Sequence, residues 1–168
     1  LAPGAKTLHI TVAAPRVAGN FFTVDMVQAR AAFEAVPWVR RASVRRIWPS
    51  GLEVTIEEHR ATAFWDGGDG DDRLVNEYGE VFDANLAEVE DDSLPMLGGP
   101  DGSSPQVLAA HQRLMPVLLP LNAQIESLRI TRRGSWQAEL DNGVVMELGR
   151  GNAAGDFHDV IERTARFV

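Results

Sequence analysis

The feature that most constrains the fold is the stretch VPWVRRASVRRIWPSGLEVTIEEHRATAFW, residues 36–65. Leu52, Val54 and Ile56 alternate strictly with Glu53, Thr55 and Glu57. A repeat of two puts every second side chain on one side of an extended backbone, so the segment reads as a half-buried strand. Arg40 to Trp48 is rich in β-branched and aromatic residues with arginines between them, and Pro49-Ser50-Gly51 supplies a turn. The two runs predict a β-hairpin with one face on a helix. A three-residue turn sets Arg46 opposite Val54, and a four-residue turn sets it opposite Glu53; both registers are open. Arginines of one strand and glutamates of the other are placed to pair, at about 0.2–1 kcal/mol for each exposed pair.

The helix is expected just upstream. In FFTVDMVQARAAFEAV, residues 21–36, Met26, Ala29, Phe33 and Val36 recur at spacings of three and four, the mark of a one-sided helix. Thr23 suits the N-cap and Asp25 the positive end of the helix dipole. Pro37, which has no N–H to give, stops the helix.

Beyond Trp65 the composition shifts. DGGDGDD, residues 66–72, reads as an acidic turn between short strands Ala63–Trp65 and Arg73–Asn76, and a second turn leads to Val81-Phe82. Residues 88–93 and the glycine-rich 94–105 read as loops. Pro105 sits well in the first turn of a helix that carries Val107, Ala110, Leu114 and Val117 on one face, and Pro116 should kink or shorten it. Next come strands through Leu128 and Ile130, then through Trp136, Ala138 and Leu140. The turn Asp141-Asn142-Gly143 leads back through Val144, Met146 and Leu148. A last helix carries Phe157, Val160, Ile161, Thr164 and Val168 on one face. At the terminus that face has no evident partner, so the chain reads as cut short.

Several function classes drop out. The excess of 24 acidic over 16 basic residues gives −8, the wrong sign for a surface that displaces counterions from duplex nucleic acid. With no cysteine there is no disulfide, thiolate metal site or cysteine nucleophile. No apolar run approaches the roughly 20 residues that span a bilayer. His9, His59, His111 and His158 are scattered, and no metal site is expected; Asp66, Asp69, Asp71 and Asp72 lack the spacing of a calcium loop. No nucleophile elbow, phosphate loop or dinucleotide fingerprint is present. Glu57 and Glu58 are adjacent on a strand and point to opposite faces. Neither a catalytic residue nor a cofactor is expected.

Two features stand out as candidate docking surfaces. Arg132-Arg133 precede Gly134-Ser135-Trp136, where a strand begins; they form either a solubilising turn over a core tryptophan or a basic rim for an acidic partner segment. Val44-Arg45-Arg46 lies on a strand that could be a sheet edge, where charges either prevent pairing or mark a docking surface.

These residues also carry a resemblance. Val36-Pro37-Trp38-Val39, Val44-Arg45-Arg46-Ile47-Trp48-Pro49, Leu52-Glu53-Val54 and Glu57-Glu58 resemble the POTRA domain of the FtsQ/DivIB family of bacterial division proteins. The similarity continues through residues 76–82 and 94–102, Ser135-Trp136-Gln137 and Leu148-Gly149-Arg150. It implies an α+β protein with a POTRA domain, a small sheet with helices on one face, over 1–63. A β domain with a mainly antiparallel sheet and flanking helices is expected over 64–168. It implies a non-enzymatic scaffold of the divisome that binds FtsB and FtsL, with FtsK, FtsW and FtsI as further candidate partners. The implied location is the inner membrane at the division septum, held by a single transmembrane helix that this chain lacks, with this region in the periplasm. The β domain is expected to capture FtsB by strand addition, with Arg133 before the SW motif contributing, Arg132 as its neighbour and Trp136 beside them. Val44 and Arg46 match a region linked to recruitment through earlier divisome proteins. Residues 1–15 match poorly, so the first POTRA strand is expected to be missing, and family members continue past residue 168 with strands that include the FtsB-binding edge. The rival readings are a POTRA protein of outer-membrane assembly or secretion, which would carry serial copies and a barrel, and a periplasmic hydrolase, which would need His59 or His111 beside two carboxylates.

Overall fold

The computed structural model describes residues 5–8 (backbone only), 25–48, 51–68, 72–89, 93–151 and 157–166. The chain divides into two compact units, Leu1–Arg60 and Ala61–Val168; the division precedes the expected one at 63/64 by three residues, at the start of a strand.

The first unit holds β1 (Ala5–Leu8), α1 (Met26–Glu34), β2 (Val39–Ile47) and β3 (Gly51–Glu58). Its sheet has the order β1-β3-β2, antiparallel throughout. The first strand, expected to be missing, is therefore present: Ala5–Leu8 pairs with β3 from Glu57 to Val54. A poor match of side chains does not prevent pairing, because the ladder is made by backbone groups. At the start of α1, Asp25 rather than Thr23 is the cap, its Oδ1 accepting from the N–H of Val27 at 2.8 Å and of Gln28 at 3.4 Å. Thr23 lies outside the described residues.

Neither proposed hairpin register is the observed one. Ile47 pairs with Gly51, Arg46 with Leu52, Arg45 with Glu53 and Val44 with Val54, so the turn is centred one residue earlier and Gly51 belongs to the strand. This register puts Ala42, Val44, Leu52, Val54 and Ile56 on one face, whereas a one-residue slip would scatter them. It also sets Arg45 against Glu53, with Nη2 2.7 Å from both carboxylate oxygens. Arg40 donates to Glu57 Oε1 at 2.6 Å.

The second unit holds β4 (Ala61–Asp66), β5 (Asp72–Asn76), β6 (Val81–Phe82), β7 (Met96–Gly98), α2 (Ser104–Leu118), β8 (Ile125–Ile130), β9 (Ser135–Leu140), β10 (Val145–Arg150) and α3 (His158–Ala165). The seven-stranded sheet has the order β10-β9-β8-β7-β4-β5-β6. It is antiparallel except where β7 lies parallel to β4 and β8. A parallel neighbour needs a long crossover, which α2 supplies between β7 and β8. Helix α2 packs on β7 and β8, and α3 packs on α2 and β10. Between helices and sheet lie Trp65, Leu97, Leu114, Leu118, Leu128, Trp136, Leu140 and Val160. Each such aliphatic side chain contributes about 1.5–3 kcal/mol by leaving water.

Two expectations need correction here. The glycine-rich segment expected to be all loop contains β7, in the middle of the sheet. Its glycines are packing residues: a Cβ on Gly98 would lie 3.2 Å from the Asp66 carbonyl, and one on Gly99 would lie 2.8 Å from Ile130 Cγ2. The apolar face of α3, expected to be unmet, is covered over its described part: Phe157, Val160 and Thr164 are buried and Ile161 is partly buried, with α3 packed on α2 and β10, while Val168 lies outside the described residues. As expected, α2 has Pro105 in its first turn; Pro116 lies inside the helix, which runs on to Leu118.

A tight loop fastens β5 and β6 to α2. The buried Asn76 accepts at Oδ1 from the N–H of Tyr78 at 2.9 Å and of Glu80 at 3.0 Å, and its Nδ2 donates to Glu80 Oε2 at 2.7 Å. Gly79, at φ +80°, lies against Pro105, where an added Cβ would approach Pro105 Cα to 2.6 Å. The Ser104 hydroxyl donates to the Gly79 carbonyl at 2.7 Å.

Candidate functional site

Of the five residues singled out from the sequence, Arg132, Arg133, Val44 and Arg46 fall on two surfaces, one on each unit, and Trp136, expected beside the arginines, is buried. In the second unit, Arg132 and Arg133 occupy the turn between β8 and β9, both exposed. The turn is set by Thr131: its carbonyl accepts from Gly134 N–H at 2.9 Å and its hydroxyl from Ser135 N–H at 3.1 Å. Gly134 adopts φ +75°, a left-handed conformation that glycine takes without steric cost. Trp136 is 1% exposed and lies edge-on to Phe157 with ring centroids 4.6 Å apart. Its side chain is core, so it supports the base of the arginine turn and offers no surface of its own.

Arg132 also lines a polar cleft of about 370 Å³ with Asp66, Gly99, Asp101 and Arg129. Across it Arg129 donates to Asp66 Oδ2 at 2.7 Å. The cleft opens where β4, β7 and β8 end together, the usual mouth of parallel strands. Among its described lining residues the ionisable groups are Asp66, Asp101, Arg129 and Arg132. Among the described residues no group of three or more histidines and carboxylates could hold a metal ion. His59 and His111 belong to different units. His111 titrates below its ordinary value because it is largely buried in α2.

In the first unit, Val44 and Arg46 lie two apart on β2, the edge strand, and share a face with Ala42. Val44 is half-buried opposite Val54, while Arg46 is exposed opposite Leu52. Pairing with Glu53 raises the pKa of Arg45.

The sequence reading missed Glu34. Its Oε1 accepts from Ala42 N–H at 3.1 Å and from Arg30 Nε at 2.9 Å. The Ala42 bond first, and then the Arg30 bond, hold the carboxyl below its ordinary range. A signal was available: an acid at the negative end of a helix is unfavourable unless something else holds it.

The architecture defines the class first, a POTRA domain followed by a β domain. The family model "POTRA domain, FtsQ-type" matches residues 10–59, and "Cell division protein FtsQ/DivIB, C-terminal" matches residues 63–168. The chain belongs to the FtsQ/DivIB family of cell division proteins. It is 43% identical to cell division protein FtsQ of Burkholderia pseudomallei over 148 residues, 88% of this chain and 57% of that protein. The Bordetella pertussis protein is 43% identical over 138 residues, covering 82% and 49%. That of Nitrosospira multiformis is 42% identical over 134 residues, covering 80% and 53%. The chain thus spans about half the length of these relatives. No helix among the described residues is long and apolar enough to cross a membrane.

Proposed function

We propose that this protein is a non-enzymatic scaffold of the bacterial divisome. It holds FtsB and FtsL through its β domain and meets earlier division proteins through its POTRA domain. FtsK, FtsW and FtsI are further candidates for the same assembly. The whole protein is held in the inner membrane by a helix preceding this region, which lies in the periplasm at the septum. Family membership across both units carries this reading. The surfaces are consistent with it: they offer sheet edges and exposed arginines, and a docking protein needs complementary shape and charge. Arg133, at the tip of the β8–β9 turn, is the residue assigned to FtsB, with Arg132 beside it and Trp136 fixing the base of the turn. Val44 and Arg46 form the second surface.

The test is a pull-down with the periplasmic segments of FtsB and FtsL, using residues 1–168 and a form extended at the C-terminus to the length of its relatives. Capture by the extended form supports the reading, and failure of the extended form to bind either segment overturns it.

A further inference from the structure

Strand β7 is shorter than the strands on either side of it. Met96, its first residue, pairs with Phe64 of β4 and Ser127 of β8, yet β4 begins at Ala61 and β8 at Ile125. Between those overhangs the sheet has a notch, crossed by residues 93–95, where the Pro95 carbonyl accepts from Phe64 N–H at 3.0 Å. Beside it is a groove of about 400 Å³ lined by Leu94, Met96, Gln124, Ile125, Glu126 and Asp141. Ile125 is buried, Leu94 and Met96 are half-buried, and Glu126 and Asp141 are exposed, so an apolar floor meets an acidic rim. The rim is held in place. Asp141 N–H donates to the Gln124 carbonyl at 2.9 Å, and Asp141 Oδ1 accepts from Gln124 N–H at 3.1 Å. Glu126 is the extra residue where β8 shifts register against β9, a bulge that re-aims a side chain.

Charge selects the occupant. The stretches from which the groove is built, 74–112, 114–128 and 134–149, contain no lysine or arginine. Among the described residues neither Glu126 nor Asp141 forms an ion pair. Such a rim repels nucleic acid and anionic headgroups, and a second copy of the same groove would set acid against acid. A metal ion is short of ligands, since no group of three or more histidines and carboxylates is found among the described residues. A long basic side chain satisfies both halves of the groove: its methylene stem lies on apolar surface while its charged head stays at the wet rim, and a guanidinium presents enough donors to meet two carboxylates. We infer that this groove is a docking site for a partner-protein segment that presents an arginine or lysine side chain, its stem on Leu94 and Met96 and its head between Glu126 and Asp141. The groove and Arg133 lie at opposite ends of the six-residue strand β8, roughly 20 Å apart along it, so the site is separate from the surface assigned to FtsB.

The probe is the acetylated, amidated peptide Ala-Leu-Arg-Leu-Ala, titrated into the ¹⁵N-labelled chain. The control carries citrulline, which keeps the stem and shape of arginine without its charge. The arginine peptide should shift the amides of Met96, Gln124 and Glu126, and the citrulline peptide should bind at least fivefold more weakly. Glu126→Gln should weaken the arginine peptide about two- to fivefold, the effect of one exposed charge pair. Leu94→Ala should weaken both peptides by a similar factor, since both lay a stem on the floor. Glu77→Gln, at an exposed acid of the same unit outside the groove, should change neither. If Leu94→Ala does not fold, as judged by its circular dichroism, Glu126→Gln and the ratio of the two peptides decide. The inference falls if these amides do not respond at millimolar peptide, if both peptides bind alike, or if Glu126→Gln and Glu77→Gln have equal effects, the mark of diffuse attraction to an acidic surface. Self-association of the wild-type chain in sedimentation, abolished by Glu126→Gln, would give the groove to a second copy and overturn the inference.

Discussion

Replacing Gly79 by alanine tests how the β domain is fastened together. Gly79 sits at φ +80°, and the new Cβ would lie 2.6 Å from the Cα and 3.2 Å from the N of Pro105. The left-handed backbone costs a residue with a Cβ about 1–2 kcal/mol. The clash adds an overpacking cost of about 1–3 kcal/mol, because the opposing atoms are backbone in the first turn of α2. The expected loss is therefore about 2–5 kcal/mol. Gly143 provides the control: it has φ +79°, and an added Cβ would meet nothing within 4 Å, so Gly143→Ala should lose only the conformational part, about 1–2 kcal/mol. Urea unfolding, followed by the fluorescence of the buried Trp65 and Trp136 with Trp38 and Trp48 changed to phenylalanine, reads both. With a slope of about 1–3 kcal/mol per M, the overpacking part of about 1–3 kcal/mol should place the Gly79→Ala midpoint roughly 0.3–3 M below that of Gly143→Ala. Equal midpoints would show that the contact between the Gly79 loop and α2 does not constrain the fold.

Trp136→Ala should destabilise the β domain by about 3–5 kcal/mol, read from the same urea transition through Trp65. A loss under about 1 kcal/mol would contradict the core placement. Glu34 has a folded-state pKa below its ordinary 4.5, so its contribution is present above that value and is lost as pH falls through the lower folded value. An acid titration of the first unit should show this limb in wild type and not in Glu34→Gln. His111 has a folded-state pKa below its ordinary 6.5, so the unfolded chain takes the proton first as pH drops through that value. The urea midpoint should fall below about pH 6.5, and His111→Leu should flatten that slope.

Much of this architecture was legible because alternation is a local signal. Leu52-Val54-Ile56 and Trp136-Ala138-Leu140 state their strands without reference to any distant residue, and the second states its buried face; in the first, Glu53 on the opposite face is buried as well as Val54, while Leu52 and Ile56 are only partly covered. What escaped depends on distant partners. Met96-Leu97-Gly98 looks like loop because its glycines serve close approach to Asp66 and Ile130, from other strands. The hairpin register escaped because Pro49-Ser50-Gly51 looks like the whole turn, whereas Gly51 pairs with Ile47. At the candidate surfaces, the sequence pointed to Arg132, Arg133, Val44 and Arg46 by type and spacing. It could not show that Trp136 turns inward onto Phe157, nor that Glu34 reaches across to the backbone of Ala42, because both are contacts between separate elements.

The most direct measurement is calorimetric titration of the FtsB periplasmic segment into the chain extended to the length of its relatives, as wild type, Arg133→Glu and Val44→Pro. Docking through separate surfaces on the two units predicts that Arg133→Glu weakens FtsB at least tenfold while Val44→Pro stays within twofold of wild type. Identical affinities for wild type and Arg133→Glu, or no binding by the extended wild type, would contradict it.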